Sequence, residues 1–156
     1  MNPNIDLSPK SLKEVSTLLN TLLSDETVLY IKTLNFHWNV EGPNFSELHK
    51  FFESQYEELS SIMDDVAERA RALGEKALGS MQDFLDHARL KESKSNQNAK
   101  DMIKELLSDH ETIIKTLRKD LETCDTTYHD IGTNDFLTGL MEKHEKMAWM
   151  LRAFIS

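Results

Sequence analysis

The sequence predicts an all-α fold in which four long helices pack as a bundle, and three observations carry that expectation. Apolar residues recur every three or four positions through four long stretches, as amphipathic helices require. Five glycines and three prolines in 156 residues are too few turn-formers for a chain of many short strands. One long polar connection separates the second stretch from the third, whereas the other connections are short.

Ser8-Pro9 opens the first helix, with a hydroxyl at the cap and proline where a missing N–H costs nothing. Leu12, Val15, Leu18/Leu19, Leu22/Leu23, Val28/Leu29, Ile31 and Leu34 keep the period to about Trp38, and Gly42-Pro43 ends it. Asn44 with Glu47 three residues later has the pattern of a capping box for a second helix from Phe45 to Leu73, closed by Gly74. Its apolar stripe is Phe45, Leu48, Phe52, Leu59, Met63, Val66 and Ala70. A short helix is expected within Ser80–Leu90, followed by an aperiodic polar linker from Lys91 to Asn98. The third long helix spans about Ala99 to Cys124, and the fourth follows a polar turn, capped by Thr133 or Asn134. The long connection between helices two and three is a crossover. It makes the bundle ferritin-like, with a short extra helix in that connection, and residues 1–156 form one domain.

A net charge of −9 argues against a chain whose main business is gripping phosphate backbones. A single cysteine, Cys124, excludes an intrachain disulfide and a cysteine-rich zinc site. No signal-peptide pattern opens the chain, and no apolar run reaches the ~20 residues a bilayer span needs. A cytoplasmic protein with no membrane partner is expected.

The chemistry gathers between His37 and Glu68. On the second helix His49/Glu53 and Asp64/Glu68 are each spaced i, i+4, so each pair presents two donors on one face. On a helical wheel all four fall in a sector about 100° wide that flanks the apolar stripe. The two pairs nevertheless lie about 22 Å apart along the axis, far beyond the ~2 Å of a metal–ligand bond. One chain cannot close such a site. Two copies packed antiparallel across a two-fold axis would bring each His49/Glu53 pair level with the other copy's Asp64/Glu68, with His37 as a further ligand. Phe51, on the wheel far from the stripe, adds a hint of a protein–protein surface. Imidazole with carboxylate and no thiolate suits iron, zinc or manganese.

Plainer roles compete for each of these residues. His37, between Phe36 and Trp38, fits a core histidine, and Glu68 could pair with Arg69 or Arg71. His110 and His144 fall within apolar stripes and read as core residues with hydrogen-bond partners, while His87 and His129 carry no signal. Trp38 reads as a packing residue, and Cys124 as a small buried or half-buried one.

The run Leu34-Asn35-Phe36-His37-Trp38-Asn39-Val40-Glu41-Gly42-Pro43-Asn44-Phe45, followed by His49 and by Asp64-Asp65-Val66-Ala67-Glu68-Arg69, closely resembles the Dps family of mini-ferritins. The likeness covers essentially the whole chain. It implies a hollow dodecamer with ferroxidase centres at two-fold interfaces: His37, His49 and Glu53 from one subunit, Asp64 and Glu68 from its partner, Trp38 alongside. It implies oxidation of Fe(II), preferentially by hydrogen peroxide although dioxygen is also an oxidant, and storage of a ferric mineral that protects the cell from oxidative stress. Zinc would compete at such a centre. Glu57 and Glu58 would face the cavity, and Asp135 resembles an acid lining a three-fold pore; a helix N-terminal acid is the plainer reading of that residue. Two features depart from the family. Glu53 stands where aspartate is common, and the segment before the first helix offers only Lys10 as a basic residue, so DNA binding is not expected despite the family's name. A DNA-condensing nucleoid protein with secondary metal chemistry is the alternative, and a purely structural helical assembly the third.

Overall fold

In the computed structural model, which describes residues 3–93 and 97–155, five helices follow in order: α1 Pro9–Asn39, α2 Phe45–Ala72, α3 Met81–His87, α4 Ala99–Thr126 and α5 Ile131–Ala153. No strand occurs among the described residues, and none of the helices is long and apolar enough to cross a membrane. α1 with α2, and α4 with α5, form two antiparallel hairpins that pack together, with α3 laid on α1. The start of α4 (Ala99, Ile103) lines a cavity with the α1–α2 turn (Glu41, Pro43). The chain between α2 and α4 therefore runs the length of the bundle, and α4 lies parallel to α2. This is the crossover expected from the long polar connection. Of the linker Lys91–Asn98, residues 94–96 lie outside the described residues.

The core takes its largest fully buried side chains from all four long helices: Leu19, Leu22, Leu29 and Phe36; Phe52, Leu59 and Ile62; Leu106, Ile113 and Leu117; Leu137. The crossover is pinned to α1 by polar contacts. Asp25, 2% exposed, accepts from the backbone N–H groups of Arg89 (2.6 Å) and Leu90 (3.1 Å) and from Arg89 Nε (2.6 Å). Asn20 donates to the Lys76 carbonyl and accepts from Leu78 N. Lys32, also buried, ties α1 to α4 through Glu105 (2.9 Å) and Asp109 (2.6 Å).

Helix ends show where local pattern and tertiary context part. Ser8 caps α1 as its sequence suggests, accepting from Ser11 N at 3.0 Å, and Gly74 closes α2 at φ +95°, a conformation that glycine adopts without strain. The capping box at Asn44 does not form: Asn44 makes no side-chain cap bond. At α5 the cap is Asp130, not Thr133 or Asn134. Its carboxylate accepts from Thr133 N and Thr133 Oγ1, and Arg69 of α2 holds it from the other side. A Cβ on Gly132 would lie 2.9 Å from Arg69 Nη2, so the glycine leaves room for that arginine. Asn134 instead donates to the Leu121 carbonyl.

Some side chains depart from their expected positions. Ile31 and Phe45, expected inward, are exposed: Ile31 lines an open groove between α1 and α3, and Phe45 stands in the first turn of α2. Phe51, expected at a protein surface, is buried against Phe52 and Phe154, the latter ring centroid 4.8 Å away. The far end of α5 returns to that side of α2, which a wheel drawn for one helix does not reveal.

Candidate metal centre

The α1–α2 turn brings His37 and His49 face to face. Their rings stack at 3.8 Å with 19° between planes. Each Nδ1 contacts the other residue's backbone carbonyl: His37 Nδ1 to His49 O at 2.7 Å, and His49 Nδ1 to His37 O at 2.8 Å. A carbonyl oxygen only accepts, so both Nδ1 atoms carry the proton. In the neutral rings both Nε2 atoms are then left with a lone pair, the state a metal ion needs, and the carbonyl bonds orient the rings. His37 is buried and His49 half-buried. Phe45 lies over His49 at 5.2 Å, so its exposed ring still covers one side of the pair.

Glu53 sits one turn beyond His49 and is half-buried. Tyr56, which the sequence reading passed over, stands three residues further along the same face. Its ring meets His37 edge-on at 5.2 Å and Tyr30 of α1 at 6.1 Å. Burial raises the Tyr56 phenol above its ordinary pKa, and the carboxylates of Glu53 and Glu57, with Tyr30, push the same way. The spacing from His49 to Tyr56, seven residues, was the available signal.

Asp64 and Glu68 are exposed, further down α2. Asp64 borders an open depression of about 660 Å³ floored by Leu23, Met63, Ala67, Leu78 and Phe84. Arg69 and Arg71, weighed as partners for Glu68, bond elsewhere: Arg69 to Asp130 and Thr133, Arg71 to the Glu75 carbonyl. Among the described residues no three His, Cys, Asp or Glu side chains converge as one chain's metal site. Trp38, read as a packing residue, is 66% exposed, because α1 ends beside it and none of the described residues covers it. Glu58 pairs with Lys143 at 2.8 Å and Glu57 is exposed. Asp135 is exposed too; with α5 starting at Ile131 it sits in the second turn, outside the reach of the strongest dipole effect.

A second histidine pair lies in the bundle core. His110 Nδ1 and His144 Nδ1 are 2.9 Å apart, and His144 Nε2 is 2.9 Å from Glu26 Oε1. All three side chains are fully buried. The expected hydrogen-bond partners are thus each other and Glu26, which lies in the polar run Ser24-Asp25-Glu26-Thr27 of α1 and which the sequence alone does not single out. The chain is linear, with His144 using both ring nitrogens, so Glu26 and His110 stand at opposite ends and cannot bind one ion together. Burial, then His144, holds His110 well below its ordinary pKa. Cys124 is buried, and burial, with Asp130 and Asp120, pushes its thiol up to about 12.

Comparison with known proteins places this architecture. The model of the ferritin-like domain family matches residues 16–156. An uncharacterized low temperature-induced protein of Nostoc is 45% identical over 153 residues, 97% of this chain and 86% of its own length. DNA protection during starvation protein 2 of Bacillus anthracis is 37% identical over 144 residues, covering 92% of this chain and 98% of that protein. Among solved structures, a Dps protein from Vibrio cholerae, described as a member of a broad superfamily of ferritin-like diiron-carboxylate proteins, superposes with a TM-score of 0.93. It has 28% identity and covers 99% of this chain and 97% of its own. The chain belongs to the Dps branch of the ferritin-like proteins.

Proposed function

We propose that this protein stores iron by oxidising Fe(II) at sites shared between two copies of the chain, each built from His37, His49 and Glu53 of one copy and Asp64 and Glu68 of another. The observation that carries this reading is the reciprocal clasp of His37 and His49, which commits both Nδ1 protons to carbonyls and reserves both Nε2 atoms for a cation. Membership of the ferritin-like family supports iron as the cation, and the kinship with a diiron-carboxylate protein supports two irons per site.

The split follows from length. α2 is one continuous helix from Phe45 to Ala72, which sets its two donor pairs about 22 Å apart, so carboxylates from a second copy must complete the site. Exposed apolar side chains support a surface there for that copy: Ile31, Met81 and Leu85 line one groove between α1 and α3, and Trp38 and Phe45 stand exposed by the histidines. A closed, hollow dodecamer is the assembly this reading takes.

Iron is the substrate. With hydrogen peroxide as oxidant the balance is 2 Fe(II) + H2O2 + 2 H+ → 2 Fe(III) + 2 H2O, and the ferric product hydrolyses into mineral. Holding two ferrous ions together lets peroxide take both electrons in one encounter, which limits release of hydroxyl radical and so protects the cell. The chain's part is to hold the ions and neutralise their charge with Glu53, Asp64 and Glu68. Zinc, with the same taste for imidazole and carboxylate, would compete.

Mixing the apo-protein with Fe(II) and peroxide is expected to give ferric absorbance far faster than buffer alone, and a His37→Ala/His49→Ala variant to lose that acceleration. Unchanged kinetics in the double variant would remove the site assignment. The DNA-condensing alternative requires a gel shift at low salt that weakens steeply as salt rises; with a net charge of −9, none is expected.

A further inference from the structure

We propose that Phe45 is a positioning residue of the His37/His49 site: its ring, laid on the outer face of His49, stops the imidazole from swinging and so fixes where Nε2 points. The inference rests on the iron reading above and adds to it a residue that binds no ion itself. Three observations carry it. The Phe45 and His49 rings stack with centroids 5.2 Å apart and 29° between planes. The His37 ring takes the opposite face of His49, at 3.8 Å and 19°, so the imidazole is held between two rings. Phe45 is 45% exposed, so packing of the bundle core does not account for where its ring lies.

The need arises because the hydrogen bond of His49, from Nδ1–H to the His37 carbonyl at 2.8 Å, secures one corner of the ring and not its plane. The last side-chain torsion of histidine is broad, and a turn about it carries Nε2 away from an ion in the site. A flat ring on each face removes that freedom before the ion arrives. The backbone delivers Phe45 to this place. Phe45 and His49 are four residues apart, one above the other on α2. Asn44 makes no side-chain cap bond, so the first turn of α2 is set instead by Gly42, whose φ of +113° favours glycine, and by the Phe45 N–H donating to the Gly42 carbonyl at 3.1 Å. His37 needs no such cover: it is buried, and Tyr56 meets its ring edge-on. A branched aliphatic side chain at position 45 would still shed water but would present no plane to the imidazole.

The test titrates Co(II) into the iron-free intact assembly, its size checked by light scattering, and follows the visible absorption of the bound ion. Oxidation of Fe(II) by peroxide is measured on the same samples. Phe45→Leu keeps an apolar side chain at the surface but no flat ring. It is expected to bind Co(II) about tenfold more weakly, as loss of an orienting contact costs a metal site, and to raise KM for Fe(II) while kcat is retained. Phe45→Tyr, which restores the ring, is expected to match the parent in both. Loss of assembled sites would instead lower kcat and leave KM unchanged. Parent-like Co(II) affinity in Phe45→Leu, a fall in kcat at unchanged KM, or no rescue by Phe45→Tyr overturns the proposal. If His37→Ala/His49→Ala binds Co(II) as the parent does, the iron reading falls together with it. If that double variant loses Co(II) and Phe45→Leu does not, this inference falls alone.

Discussion

Acid should weaken this fold through one identifiable residue, His110. Its Nδ1 faces His144 Nδ1 at 2.9 Å, a distance that holds one proton between two nitrogens and leaves no room for two N–H groups head to head. His110 is fully buried and its pKa is held well below 6.5, first by burial and then by His144. In the unfolded chain the same imidazole protonates near its ordinary value of about 6.5. The folded pKa being the lower, the unfolded state binds the extra proton, so stability falls as pH drops below about 6.5 and is retained above it. One such proton costs about 1.4 kcal/mol between roughly pH 7.5 and pH 5.5. Urea unfolding of iron-free protein at fixed protein concentration, at both pH values, measures the loss. His110→Leu removes the titrating group at a cost of its own, about 1–3 kcal/mol for the partner left unpaired. Its loss between the two pH values should nevertheless be smaller than the parent's by about 1.4 kcal/mol. If the parent and His110→Leu lose stability equally on acidification, the shared-proton argument is wrong.

Other consequences follow from the contacts that hold the crossover and the core. Asp25→Asn removes the charge that binds Arg89 and weakens the acceptor of two backbone N–H groups; chemical denaturation should register a loss of about 2–3 kcal/mol. Leu59→Ala, at a fully buried position, should cost about 2–5 kcal/mol, read as a lower melting temperature with the helical signal of the native state retained. Cys124, buried with its thiol pushed up to about 12, should resist a thiol-specific reagent near neutral pH and react fully once the protein is unfolded; rapid labelling of the native protein would contradict its placement.

Much of this architecture is legible from the sequence because it rests on local periodicity. The four long helices, the crossover and the short α3 follow from apolar spacing and from where it lapses, and the two i, i+4 pairs on α2 are visible as soon as the period is known. What escaped depends on contacts between distant parts of the chain. Phe51 looked unpartnered because Phe154, its neighbour, arrives more than a hundred residues later. Asp130 lost out to Thr133 and Asn134 as a cap because all three have the chemistry, and only Arg69, reaching across from α2, decides among them. Glu26 lies in the polar run Ser24-Asp25-Glu26-Thr27 of α1, where one more acid gave no clue that two histidines waited across the core. The tautomer of His37 and His49 was likewise out of reach, since it is set by two backbone carbonyls at a turn.

The central claim is that the site belongs to two chains, and mixing two inactive variants tests it most directly. His37→Ala/His49→Ala spoils one half of each site and Asp64→Ala/Glu68→Ala the other half. Each is expected to oxidise Fe(II) no faster than buffer when assembled alone. Dissociated, mixed in equal amounts and reassembled, they form mixed pairs in which one site carries both lesions and the other carries none. Random pairing across the two-fold then restores about one quarter of the parent's rate. If the mixed assemblies are as inactive as their components, although both variants are shown to share particles, the site is not divided between subunits as proposed.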